Sequence, residues 1–261
     1  MVKKIIQSII GRPVYYKLEH IKKKYFPTIY DKLVEKEFKR QIEFYRPFIK
    51  PGNLCFDIGG NMGFKTNVFL QLKAKVLVLE PQKKCVEIIK AKYGSKVTVL
   101  QKGAGAINEV KEFFISYNSE LSSFNEDWIE QFKETRFLGA KVKSVEKIEI
   151  VTLDSLIEQF GEPHFIKIDV EGYEVEVLKG LSRPFKYLSF EYVVPERTNK
   201  LLDALYYLQK TVPSIVCNYD SNRTNKLAFE EWLPIDNMIE YVQQDNFNAI
   251  LAGDIYIKAN S

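Results

Sequence analysis

The stretch Asn53–Gly63, NLCFDIGGNMG, decides the fold. Leu54, Cys55, Phe56 and Ile58 make a short apolar run, the pattern of a buried strand. Gly59, Gly60, Asn61 and Gly63 follow, and then an amphipathic run, Phe64–Leu72. Strand, glycine-rich turn and helix start are the parts of a nucleotide-cofactor pocket. Glycine lets the backbone come close to a ligand because no Cβ intervenes. The dinucleotide fingerprint G-x-G-x-x-G fails, since from Gly59 it needs glycines at Asn61 and Phe64. A phosphate-binding loop fails too, because no G-K-[ST] follows. What fits is acid-x-Gly-x-x-x-Gly, with the acid, Asp57, at the strand end.

Working outward, Lys75–Leu79 predicts a second strand ending in Glu80–Pro81. Glu80 lies 17 residues after Gly63 and is placed to take the hydroxyls of a ribose. Gln82–Tyr93 predicts a helix stopped by Gly94. Val97–Leu100 predicts a third strand running into Gln101–Gly105, QKGAG. A small-residue turn there, at Gly103 and Ala104, would let backbone amides reach an adenine. The second informative stretch is His164–Glu174, HFIKIDVEGYE. Strand alternation puts Ile166, Ile168 and Val170 on one side and Phe165, Lys167, Asp169 and Glu171 on the other. Charges in a central strand are costly unless paired. They are therefore expected at its carboxyl end, where open α/β sheets bind ligands.

The rest of the chain supplies a frame. Lys111–Ser116 is β-prone, Leu121–Phe124 can line the pocket, and Asn125–Phe132 reads as a short helix. The insert 117–147 is expected to cover the site or bind substrate. Ile148–Leu153 is β-prone, with Asp154 capping a helix Ser155–Phe160. Helix Glu174–Gly180, strand Tyr187–Tyr192 with Glu191 near its end, and helix Arg197–Lys210 follow. Ser214–Tyr219 and Ile255–Lys258 read as late strands around a helix Asp236–Gln244.

The chain has 261 residues and a net charge of +4. Residues 1–50 hold 13 Lys/Arg and 5 Asp/Glu, or +8, so the remainder carries −4. A basic helical extension (1–50) thus precedes a mildly acidic main domain (51–261). Ile5, Ile6, Ile9 and Ile10 share a helical face. The extension allows peripheral membrane contact through residues 1–25, but a helical cap over the pocket or a homo-oligomer contact is the preferred reading. An acidic body disfavours a nucleic-acid groove. No apolar run is long enough for a membrane span, and the three scattered cysteines with His20 and His164 give no zinc spacing. A cytoplasmic setting is expected.

These motifs together resemble the FkbM family of S-adenosylmethionine (SAM)-dependent O-methyltransferases. The matching stretches are DIGGNMG (Asp57–Gly63), Glu80–Pro81, VTLDSL (Val151–Leu156) and KIDVEGYEVEVLKG (Lys167–Gly180). The resemblance implies a Rossmann-like class I methyltransferase fold, an α/β seven-stranded, mostly parallel sheet whose last strand is antiparallel. It implies SAM as cofactor, held by Asp57, Gly59, Gly60, Asn61, Gly63, Glu80, Pro81, Gly103, Ala104 and Asp169. SAM carries an ammonium and a sulfonium and no phosphate, which suits acids at Asp57 and Glu80. Where many members carry an acid near Ala104, this chain has Gln101–Lys102–Gly103, leaving adenine to backbone groups. The expected reaction is methyl transfer to a hydroxyl of a small molecule or glycan. Asp169 is the first candidate base, Glu191 and Glu171 are alternatives, and Lys167 orients them. A metal on Asp169 and Glu171 is not required. The competing readings are a nucleic-acid methyltransferase and a non-catalytic SAM-fold binding or scaffold protein.

Overall fold

The computed structural model describes residues 28–125, 128, 141–212, 214–221 and 224–259. The apolar run of the glycine-turn stretch is strand β1, Leu54–Ile58. Its neighbours explain why it is apolar on both faces: it pairs in parallel with β2 (Lys75–Leu79) and β7 (Phe165–Ile168). β3 (Val97–Leu100) extends the sheet beyond β2, and β8 (Tyr187–Val193) extends it beyond β7, both in parallel. β11 (Ala252–Ala259) then inserts antiparallel between β8 and β9 (Ile215–Ser221). These are the seven strands expected, with the last one antiparallel. An eighth, β10, consists of Leu233 and Pro234 alone and pairs at the edge of β9. Proline is tolerated there because an edge strand has unused hydrogen-bonding positions. The order is β10-β9-β11-β8-β7-β1-β2-β3.

A second sheet, β4-β6-β5, is built from Gly103–Ala104, Val142–Val151 and Glu109–Ser116. It differs from expectation twice. Gly103–Ala104 is a short strand rather than a turn, paired in parallel with Ile150 and Val151. β6 begins six residues before Ile148, and Val142–Lys147 is exposed throughout, so no buried alternation marks it.

Helices among the described residues include α1 (Ile29–Tyr45), α2 (Phe64–Gln71), α3 (Lys83–Tyr93), α4 (Leu153–Phe160), α5 (Glu174–Lys179), α6 (Thr198–Thr211), α7 (Ile235–Val242) and α8 (Asp245–Asn248). Thr28 and Asp31 close a capping box on α1. At α4 the cap is Thr152, whose hydroxyl accepts from the Ser155 amide at 3.1 Å, and not Asp154. Asp154 instead accepts from the amides of Ser182 and Arg183, tying α4 to the segment after α5.

Alternation along the strands splits the core. Phe56, Ile58, Ile166, Ile168, Leu188, Phe190, Ile255 and Ile257 face one layer with α4–α7 residues. Cys55, Val76, Val78, Phe165 and Tyr256 face the other, against Phe69 of α2 and Tyr45, Phe48 and Ile49. Fully burying one phenylalanine such as Phe165 stabilises by roughly 1.5–3 kcal/mol. The three cysteines are free and buried. Ile5–Ile10 lies outside the described residues, as does most of Asn125–Phe132. Among the described residues, no helix is long and apolar enough to cross a membrane.

The connections from β1 run to β2 and β3 on one side, while β7 and β8 lie on the other. The switch point is therefore between β1 and β7, where the strand carboxyl ends leave a crevice.

Candidate active site

The glycine turn is folded over the end of β2. The amides of Gly59 and Gly60 both donate to the Leu79 carbonyl, at 2.9 and 3.1 Å. Gly59 has φ +85°, and a Cβ on it would lie 1.8 Å from the Asp169 carbonyl oxygen. The missing side chain is thus spent on the strand next door, bringing the ends of β1 and β7 together. Asn61 also adopts a left-handed φ, +44°, which asparagine tolerates better than most residues. Its amide donates to Glu80 Oε2 at 2.7 Å, and its Oδ1 accepts from the Ser119 hydroxyl at 3.1 Å. An asparagine here does what glycine could not: its side chain holds the 119–122 segment against the turn. Gly63, at φ +81°, starts α2, and its carbonyl accepts from the Tyr93 hydroxyl.

A cavity of about 670 Å³ opens at the switch point, within the usual size range of small-ligand sites. Asp57, Gly59, Gly60, Asn61, Glu80 and Pro81 line one part of it, and Gly103 and Ala104 another. Lys167, Asp169, Glu171 and Glu191 line it from β7 and β8. Gly63 does not reach the lining; its part is to turn the chain into α2.

Asp57 is almost wholly buried. Its Oδ2 accepts from the Thr66 hydroxyl at 2.5 Å, while Oδ1 is buried with no hydrogen-bond partner among the described residues. Burial pushes its pKa up, opposed by Lys167 and Thr66. Glu80 is equally buried; its two oxygens take the amides of Asn61 and Gln82, at 2.7 and 2.8 Å. Burial raises it to about 7 against those bonds. An orphaned carboxylate oxygen and a second fixed carboxylate fit a cofactor that brings an ammonium, a sulfonium and ribose hydroxyls. Carboxylates outnumber lysines three to one along the whole lining, the wrong balance for a phosphate-bearing dinucleotide.

At the end of β7, Lys167 Nζ donates to Asp169 Oδ2 at 2.6 Å. Lys167 is buried, which alone would lower its pKa; the carboxylates of Asp169, Asp254 and Asp57 outweigh this and the net shift is upward. The strand ends at Ile168, and Glu171 turns to φ +54°, so the expected alternation stops three residues short of it. Carboxylate oxygens of Asp169, Glu171 and Glu191 nevertheless lie within 4.8 Å of one another. That set could hold a divalent cation, but Lys167 already places a positive charge on Asp169. Glu174 accepts from the amides of Val170 and Gly172 and fixes the loop beneath these acids.

Several lining residues carry no motif. Glu37 and Gln41 come from α1, Lys65 from α2, Asp220 from the end of β9, Asn225 from the segment after it, and Asp254 from β11. Lys65 Nζ bonds Gln41 Oε1 at 2.6 Å, and Glu37 holds the Asn225 amide. Their common signal is long-range: strand register and helix docking bring them together. Of the insert 117–147, residues 118–122, 124 and 128 line the cavity, while 126–127 and 129–140 lie outside the described residues. Gln82 Nε2 donates to the Ser119 carbonyl, and Phe124, packed on Phe113 with centroids 4.6 Å apart, sits over Gly103.

No curated protein matches the chain. Solved structures with a similar course include a SAM-dependent O-methyltransferase from Thermotoga maritima (13% identity, 85% of this chain and 65% of that one, TM-score 0.41). A TehB-like SAM-dependent methyltransferase from Corynebacterium glutamicum aligns over 95% and 98% at 7% identity and TM-score 0.44. The plantazolicin methyltransferase BpumL, in complex with an analogue and S-adenosylhomocysteine (SAH), aligns over 99% and 95% at 10% and 0.43. The sequence profile of the methyltransferase FkbM domain matches residues 57–210. That span is more than half of the chain, begins at the buried acid of the glycine turn and includes both β7 and β8, so this chain belongs to the FkbM family of methyltransferases, with SAM as its cofactor.

Proposed function

We propose that this methyltransferase acts on oxygen, and that its acceptor is a hydroxyl of a sugar, glycan or small natural product. The observation that carries the reading is Asp169. It lines the cavity at the carboxyl end of β7 and is held at 2.6 Å by the buried Lys167. SAM supplies an electrophilic methyl group on a sulfonium. A hydroxyl is a poor nucleophile until a base takes its proton, and a positioned base is worth roughly 10²–10⁴ in rate. Asp169 is the base in this reading, with Glu191 and Glu171 beside it to bind the acceptor. Lys167 keeps the Asp169 carboxylate oriented and offsets the neighbouring negative charge. Holding the acceptor oxygen in line with the methyl group does much of the remaining work. The lining argues against nucleic acid, because a phosphate backbone needs cations and meets three carboxylates for every lysine here.

The test is Asp169→Asn, assayed for transfer of labelled methyl to a panel of hydroxyl acceptors alongside calorimetric SAH binding. Turnover at saturating SAM is expected to fall by about 10²-fold or more, well beyond any loss of SAH affinity. Full turnover in the variant would remove Asp169 from the role of base.

A further inference from the structure

The register of three strands sets acids side by side. β8–β11 pairing places Glu191 opposite Asp254, and β11–β9 pairing places Asp254 opposite Asp220. β7–β8 pairing ends at Ile168 with Phe190, so Asp169 and Glu191 are the next residues on those two strands. All four acids line the same cavity. The register is firmly set, because a Cβ on Gly253 would lie 1.8 Å from the Asp220 carbonyl oxygen. Directly opposed like charges destabilise a sheet. A folded chain that keeps such a row gains something else from it.

The members of the row are not equally used. Asp220 is saturated: it accepts from the amide and hydroxyl of Thr224 and from the Asn225 amide, at 2.7–2.9 Å. Asp169 holds Lys167. Asp254 is only 9% exposed, yet its one hydrogen bond among the described residues is from the Tyr256 hydroxyl at 3.5 Å, the outer limit of such a bond. Among the described residues its cationic neighbour is Lys167, which feels its charge but gives its direct contact to Asp169 and donates no hydrogen bond to Asp254. A buried carboxylate this poorly served, facing a cavity, is built to receive donors from a ligand.

We propose that Asp254, with Glu191 beside it, accepts hydrogen bonds from neighbouring hydroxyls of a neutral polyol acceptor, and that the acid row sets a preference for uncharged over phosphorylated sugars. This rests on the hydroxyl-acceptor reading given above and adds to it a residue and a charge class. Asp254 works on the opposite side of Glu191 from Asp169. It binds the acceptor and takes no part in moving the proton.

The experiment uses the full chain, wild type, Asp254→Ala and Asp254→Asn. Labelled methyl transfer is measured on methyl glucoside, methyl rhamnoside, glucosamine and glucose 6-phosphate, with SAH binding by calorimetry and melting temperature as controls. Transfer to a neutral glycoside and not to the phosphate is expected in the wild type. In Asp254→Ala the KM for that glycoside should rise by about tenfold or more, and by more than kcat falls. Asp254→Asn should fall between, because an amide oxygen still accepts but carries no charge. SAH affinity should be unchanged, and both variants should melt close to the wild type, since relief of the opposed charges offsets the lost attraction for the buried Lys167. An unchanged KM in Asp254→Ala, in a protein that turns over, overturns the proposal alone. So does a lowered melting temperature with kcat and KM affected together, the mark of a merely structural residue. Transfer to glucosamine or glucose 6-phosphate in preference to the neutral glycosides overturns the charge class. SAH binding by the wild type with no transfer to any probe overturns the hydroxyl-acceptor reading, and this proposal with it.

Discussion

Gly52 and Gly59 share a φ of +85° but stand in different surroundings. A Cβ on Gly52 would meet nothing within 4 Å, whereas one on Gly59 would lie 1.8 Å from a carbonyl oxygen of the neighbouring strand. Left-handed backbone costs an ordinary residue roughly 1–2 kcal/mol. Gly52→Ala should therefore destabilise by about that much. Gly59→Ala adds a clash with main chain, which cannot swing aside as a side chain would. It should cost at least about 3 kcal/mol and part the ends of β1 and β7. Urea unfolding of the two variants checks this, and equal losses would show that the turn yields freely. If the turn is one wall of the cofactor site, Gly59→Ala also loses SAH affinity while Gly52→Ala keeps it.

At the scale of elements, α1 does two jobs. Its last turn is core: Tyr45 is fully buried and packs its ring on Phe69, Phe165 and Tyr256. Its middle is cavity wall, through Glu37 and Gln41, and Arg40 ties it to the Thr224 carbonyl at 2.7 Å. Its first turn exposes Ile29, Tyr30 and Leu33. Tyr45→Ala should thus cost about 3–5 kcal/mol, like other large aromatic truncations in cores, while Leu33→Ala should stay within about 0.5 kcal/mol. Chemical denaturation separates them; comparable losses would mean that Leu33 is covered in solution. The sequence reads as a helical extension that caps the pocket or meets another copy, but the face by which α1 docks is not legible in it, since docking depends on Phe69, Phe165 and Tyr256 far along the chain. The same holds elsewhere. β1, β2 and β7 are short apolar runs flanked by turn residues and could be read directly, as could Asp57, Glu80, Lys167 and Asp169 at their ends. The exposed half of β6 has no alternation to read. Asp254 is one acid in LAGDIYIK, and only the pairing with β8 puts it opposite Glu191. Local pattern fixes elements, and register fixes neighbours.

For the molecule as a whole, the concentration of buried acid at one end of the sheet sets how stability depends on pH. Burial raises Glu80 and Glu174 each from an ordinary 4.5 to about 7, and raises Asp57 as well. Between about pH 4.5 and pH 7 the native chain therefore holds protons that the unfolded chain has released. Stability then falls as pH rises through that window, and the loss is complete once the folded groups have ionised. A tenfold difference in proton affinity is worth about 1.4 kcal/mol, so two such groups together amount to a few kcal/mol. Lys167 has the opposite charge and a raised pKa, so its contribution persists through neutrality and is lost only in strong alkali. The ligand-free protein should accordingly melt higher at pH 5.5 than at pH 7.5, and Glu80→Gln should remove part of that slope. Hydrogen bonds from ribose hydroxyls favour ionised Glu80. SAH should therefore raise the melting temperature more at pH 7.5 than at pH 5.5, and its binding near pH 6.5 should release protons to the buffer. Calorimetry in two buffers of different ionisation enthalpy measures that release. Proton uptake, or none, would mean that Glu80 stays protonated in the complex and that the ribose is held elsewhere.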